Sequence, residues 1–158
     1  MSIGNFESNG KVIVGVDGTR ASINALSWAA KFAQATNQKL KVISTWSSDS
    51  VTSRLSAFGE VPPHDDSIME REDHALEAIA NSMKEVFFAN DVPSWVTTEA
   101  IDGNPAEVLI NESRTASLLV VGTRGHGHLA DMVLGSVSSD CVARAHCPVT
   151  VVRNDSAV

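Results

Sequence analysis

The stretch LLVVGTRGHGHLADMVLGSVSSD (118–140) sets Gly122, Gly125, Gly127 and Gly135, with Arg124, His126, His128, Ser136 and Ser138, directly after an apolar run. Residues of these types, in this order, can hold an anion. Without a Cβ, Gly122 and Gly125 let backbone amides come close to a charged oxygen. Gly135-Ser136 opens a helical segment whose first N–H groups and positive dipole end favour phosphate. The Ser136 and Ser138 hydroxyls add donors, and Arg124 offers a planar fork that pairs with phosphate. Together they describe a site for a polyphosphate chain. On this reading, valine at position 122 would shut out the anion and leave the sheet folded.

Other chemistries fit less well. The His126–His128 pair invites a metal, but with only Asp131 nearby it falls short of a tetrahedral ligand set. There is no GxxxxGK[ST], which excludes a P-loop. Gly125-x-Gly127-x-x-Ala130 matches a loose dinucleotide fingerprint, yet no acidic residue stands near position 145 to take a ribose. Phosphoryl transfer needs a metal site and a positioned nucleophile or water. Asp17, Asp131, Asp140 and the two histidines show no spacing that assigns a base, so no catalytic residue is named.

The surrounding pattern says what positions these groups. KVIVGV (11–16) reads as a strand ending in the Asp17-Gly18 turn, and an alanine-rich helix follows with Thr19 as its N-cap. KLKVISTW (39–46) is the second strand. A polar stretch with two adjacent prolines (47–66) follows, of the length that marks a functional or disordered loop. Residues 67–90 read as a helix with Leu76, Ile79, Ala80, Met83, Val86 and Phe87 on its apolar face. SWVTTEAI (94–101) is the third strand. Asn104, Pro105 and Glu107 then make a well-formed helix start. SLLVVG (117–122) is apolar throughout, as suits a strand covered on both faces. A short helix from Ser136 to about Ala145 and a last strand, PVTVVR (148–153), complete the chain.

Strands alternating with crossover helices predict a single doubly wound α/β domain, 10–154, with mobile tails at 1–9 and 155–158. In such sheets ligands bind at the carboxyl ends of strands where the winding reverses. GVDGT and GTRGHG both lie at strand ends, so if their strands are neighbours the two turns flank one crevice. Asp17 can cap the first helix, contact a ligand, or do both.

Composition removes several function classes. An apolar share of 43% argues against wholesale disorder. The formal charge of −7 argues against nucleic acid or an anionic membrane as partner. No apolar run is long enough for a membrane helix, and MSIGNFESNGK has no signal core, so a cytoplasmic location is expected. Cys141 and Cys147 have neither CxxC nor zinc spacing and read as reduced packing residues. Trp46 reads as packing rather than a stacking platform.

Gly122-x-x-Gly125, nine residues, then Gly135-Ser136 resembles the G-2x-G-9x-G-(S/T) motif of the ATP-binding universal stress proteins. VIVGVDGT looks like that family's first strand and turn, and CPVTVVR like its closing strand. The likeness runs from Lys11 to Arg153. It implies a five-stranded parallel sheet in order 3-2-1-4-5 and a homodimer. It also implies ATP in the crevice, with Mg²⁺ on the phosphates; AMP, ADP or cyclic AMP could share the adenosine contacts. The resemblance places adenosine near Gly15, Val16, Asp17 and the backbone of Thr45. Gly122, Arg124, Gly125, Gly135, Ser136, Val137 and Ser138 would hold ribose and phosphates. The implied function is an ATP-binding stress-response or regulatory protein with at most slow hydrolysis. The alternatives are an adenine-nucleotide α-hydrolase-type enzyme and a nucleotide-free dimeric interaction module.

Overall fold

The computed structural model describes residues 10–47, 66–88, 91–123 and 134–153. Five strands run in chain order: β1 (Lys11–Gly15), β2 (Lys39–Trp46), β3 (Val96–Asp102), β4 (Leu118–Gly122) and β5 (Val149–Val152). Between them lie α1 (Arg20–Ala35), α2 (Asp66–Phe87), α3 (Pro105–Glu112) and α4 (Ser136–Arg144), and a 3₁₀ turn at Ser113–Thr115 follows α3. All neighbouring strands pair in parallel, in the expected order β3-β2-β1-β4-β5.

The order follows from handedness. Right-handed crossovers carry the chain from β1 outward through β2 to β3, which puts α1 and α2 on one face. The chain then returns past β1 to add β4 and β5, and travel in the opposite direction puts α3 and α4 on the other face. Two apolar layers result. One joins Val12, Val14, Val42 and Val120 to Leu26, Ala29 and Ala33 of α1 and Ile79 and Met83 of α2. The other joins Ile13, Ile43, Leu119 and Val121 to Ala106, Leu109 and Ile110 of α3 and Cys141 of α4.

Local signals explain the helix starts. Thr19 caps α1, accepting from the Ser22 amide at 3.3 Å. Asn104 caps α3 by accepting from the amides of Ala106 and Glu107 at 3.0 and 3.3 Å, with Pro105 in the first turn. Each cap satisfies amides that the helix itself cannot pair. On α2 the buried face is Ala75, Ile79, Ser82 and Met83, and Leu76 is exposed. The small Ala75, not the neighbouring leucine, lets the helix lie close on the sheet. The third strand begins at Val96, two residues later than expected, because Ser94 and Trp95 form a turn. As an edge strand it buries only Val96.

On the α3 face of β2, Lys41 reaches Glu99 at 2.6 Å and Glu112 at 2.9 Å, tying β2 to β3 and α3. Burial disfavours its charge, but the hydrogen bonds and charges of Glu112 and Glu99 outweigh burial and raise its pKa. Among the described residues, no helix is long and apolar enough to cross a membrane.

Both cysteines are free thiols. Cys141 is wholly buried, and desolvation is the main cause that pushes its pKa up to about 11; Cys147 is partly buried and raised for the same reason. Since the thiolate is the nucleophile, a disulfide-exchange reagent at pH 8 should react with Cys141 only on unfolding. Cys147 should react more slowly than a free thiol. Stoichiometric labelling of Cys141 in the native protein would contradict this packing role.

Candidate functional site

The winding reverses between β1 and β4, which pair through Val12–Leu118, Ile13–Leu119 and Val14–Val120. Beyond the last pair the two chains leave in different directions, β1 into α1 and β4 toward α4. A cleft of about 290 Å³ opens there, at the carboxyl ends of β1, β2 and β4. It sits above the α3–α4 core layer, and its apolar walls are Val16, Ile43, Leu109, Val121 and Val137, with Pro105 at the edge. Gly15 and Gly122 line it where side chains are missing, and Asp17, Ser22 and Thr45 supply its polar groups. This volume is close to the lower end of the roughly 300–1,000 Å³ usual for small-molecule sites. The walls suit a flat apolar ring and the rim suits polar substituents.

Asp17 is tied into the β1–α1 turn. Its Oδ1 accepts from the Thr19 amide at 3.0 Å and from the Thr19 hydroxyl at 2.5 Å. The Asp17 amide donates to Ser22 Oγ at 3.2 Å, and that hydroxyl donates to the Thr19 carbonyl at 2.9 Å. Thr19 is thus the cap of α1 and Asp17 the residue that orients it. Gly18 makes the turn possible with φ of +81°, a conformation that side chains resist.

The backbone of Thr45 is available to the cleft. In a parallel sheet a residue's N–H and C=O address the same neighbour, and residues two apart address the same side. The Ile43 carbonyl faces β1, where it accepts from the Val16 amide at 2.8 Å. Thr45 has the same orientation, but β1 has turned away at Asp17-Gly18, so among the described residues no strand meets it there. One donor and one acceptor therefore stand side by side at the rim. Trp46 alternates to the opposite face of β2. Its indole nitrogen is buried without a hydrogen-bond partner among the described residues.

Across the cleft, the start of α4 is held against the end of β4. The Thr123 amide donates to the Val152 carbonyl at 3.0 Å, and the Thr123 carbonyl accepts from the Gly135 amide at 2.8 Å. Gly135 is the N-cap and provides no side-chain hydrogen bond. The first carbonyl–amide bond inside the helix is Ser139 to Gly135, at 2.9 Å. The amides of Ser136, Val137 and Ser138 are thus those a helix cannot pair for itself, and Val137 lines the cleft together with Gly122. Ser136 is exposed at this end. Ser138 is placed otherwise than expected: it is 3% exposed, and its hydroxyl donates to the Gly135 carbonyl at 3.0 Å, with the Thr123 carbonyl 3.4 Å away. Its side chain stitches α4 to β4 and has no free proton to offer an anion. A bidentate pair between Arg144 and Glu107, at 2.6 and 3.1 Å, joins the far end of α4 to the first turn of α3.

Gly122 also differs from expectation. A Cβ there would lie 2.8 Å from the carbonyl oxygen and 2.9 Å from the carbonyl carbon of Ala21. The missing side chain is what seats the first turn of α1 against β4. Valine at this position would strike backbone, so it would not leave the sheet undisturbed.

Arg124, Gly125, Gly127 and the His126–His128 pair lie outside the described residues, as does most of the 47–66 stretch and both tails. The structure thus brings together Gly15, Val16, Asp17, Thr45, Gly122, Gly135, Ser136, Val137 and Ser138. Leu109 was missed by sequence reading. Its apolar character on α3 signalled only a core position, and nothing local shows that it also walls the cleft.

The universal stress protein family model matches residues 8–153. The chain belongs to that family. It is 34% identical over 149 residues to universal stress protein Rv2005c of Mycobacterium tuberculosis, a match covering 93% of this chain and 49% of that protein. The chain thus spans about half the length of the curated relatives it matches. Among solved structures, universal stress protein UspA from Lactobacillus plantarum superposes with a TM-score of 0.68 at 21% identity, covering 91% of this chain and 97% of that one. A universal stress protein in complex with cAMP superposes with a TM-score of 0.62 at 22% identity, covering 92% and 97%. These neighbours share the α/β fold of this universal stress protein.

The geometry at Gly122 yields a direct expectation. Gly122→Ala should destabilise the protein by about 1–3 kcal/mol, the usual cost of forcing extra atoms into a packed contact. Urea unfolding measures it. A variant as stable as the native chain would show that α1 is not seated by this contact.

Proposed function

We propose that the cleft binds an adenine nucleotide, with ATP its preferred occupant, and that the protein acts as a nucleotide-dependent regulator rather than a fast enzyme. The observation that carries this reading is the pairing of two unlike ends across one cleft. At one end, apolar walls and the donor–acceptor pair of the Thr45 backbone match a base that presents one acceptor and one donor on its edge. At the other, the first-turn amides of α4, which the helix does not pair for itself, and the exposed Ser136 hydroxyl match phosphate. Asp17, on the rim between β1 and α1, meets a ribose hydroxyl in this reading. Arg124 and Gly125 complete the phosphate contacts in this reading, and Mg²⁺ is carried by the phosphates. The family membership and the cAMP-bound neighbour support the same class of ligand.

A bound nucleotide would join β1, β2, β4 and α4 into one unit and stabilise the fold by mass action. A partner protein, or a second copy in a homodimer, could then read the occupied state. We place this role in the cytoplasm and in the response to stress.

The test begins with protein purified without added nucleotide, denatured, and assayed for released nucleotide by mass spectrometry. The emptied protein is then titrated calorimetrically with ATP, ADP and cyclic AMP. Adenine nucleotide should be released, and ATP should bind with the highest affinity. Ser136→Ala should weaken ATP by about 0.5–1.5 kcal/mol, the worth of one hydrogen bond. No released nucleotide together with no binding heat would leave an interaction module, and rapid production of ADP would make the protein an enzyme.

A further inference from the structure

Gly15 is the last residue of β1 and faces α3. Its backbone does not need glycine: among the described glycines, only Gly18 and Gly103 have positive φ. Space is the reason. A Cβ on Gly15 would lie 2.8 Å from Leu109 Cδ1 and 3.4 Å from Cδ2. The Leu109 methyls thus occupy the room that any side chain at position 15 would take. Leu109 is 3% exposed and at the same time walls the cleft, so it is the cleft's floor as well as part of the core.

We propose that Gly15 and Leu109 together are the size-determining pair of the cleft, setting the depth available to a purine ring. This rests on the nucleotide reading above and adds the residues that would discriminate by ring size. Around Leu109 the core is filled by Ile13, Ala106, Ile110 and Leu119. The free volume beside it is the cleft. A methyl group at position 15 therefore drives the Leu109 side chain toward the cleft, because packed interiors have little other room. The contact differs in kind from that at Gly122. There a Cβ meets backbone, which cannot yield, whereas here it meets the end of a flexible side chain. Alanine at position 15 should be tolerated by the fold and refused by the ligand.

The experiment is a double-mutant cycle on the full chain with Gly15→Ala, Leu109→Val and the pair, read by calorimetric titration with ATP and with CTP and by thermal melting. Valine lacks the outer methyls that would clash. Gly15→Ala should melt close to the native chain, lose at least tenfold in ATP affinity and lose less for the single-ring base of CTP. The double variant should recover most of the lost ATP affinity. Native-like ATP binding by Gly15→Ala overturns the proposal, as does a folded double variant that binds no better than Gly15→Ala. Should Gly15→Ala melt early, the double variant decides: folding with ATP bound supports the pair, and folding without binding refutes it. A native chain that binds no ATP fails the nucleotide reading itself, which the same titration separates from failure of the pair.

Discussion

The pairing of β1 with β4 is the constraint on which the rest depends. These two strands are central and parallel, yet their chains leave the sheet toward opposite faces, into α1 and toward α4. No helix can cover the point where they part, because each crossover is already committed to one side. The opening is therefore a consequence of topology, before any side chain is chosen. What the sequence chooses is its lining. Valine, isoleucine and leucine supply the walls, and polar backbone is left at the rim where β1 ends three residues earlier than β2.

Around this opening the fixed hydrogen bonds form two short chains, one on each side. Asp17, Thr19 and Ser22 lock the β1–α1 turn, with each hydroxyl acting as donor and acceptor. Thr123 does the equivalent at β4, giving its amide to β5 and its carbonyl to the cap of α4. Neither chain leaves its own side of the cleft. The two sides meet instead through Gly122, whose bare α-carbon lets α1 rest on β4. The rim is held rigid by hydrogen bonds, and its width is set by a contact between backbone atoms. Small changes at that contact should alter both stability and cleft shape.

The fold was legible because its signals are local. Apolar runs of strand length, the Thr19 and Asn104 caps, Pro105 and the alternation of elements each act over a few residues. The strand order was read through the family resemblance, since neither the periodicity nor the glycines state which strands touch. At the site, Asp17, Thr45 and Gly122 line one cleft, and the Gly135-Ser136 helix start is held against the end of β4. Leu76, the Ser138 hydroxyl and the bare α-carbon of Gly122 share one feature: residue type suggests one role, while the packing and hydrogen-bond partners around each set another. Leu76 looked apolar enough to be buried, but the helix turns Ala75 to the sheet. Ser138 looked like a phosphate donor, but the Gly135 carbonyl and the nearby Thr123 carbonyl are closer claims on its proton.

The glycines make the same point more sharply. Gly18 answers a conformational need, its positive φ being costly for any residue with a Cβ. Gly122 answers a packing need between an early helix turn and a late strand. Gly15 answers a need for volume next to one leucine. A sequence shows all three as the same letter, and the usual inference from a glycine after a strand is flexibility or ligand approach. Here two of the three are packing requirements, and the cleft is open because packing at its edges leaves out two side chains. Ligand access is therefore tied to the stability of the fold, so substitutions that probe the cleft through its glycines must be read with the fold's stability measured alongside.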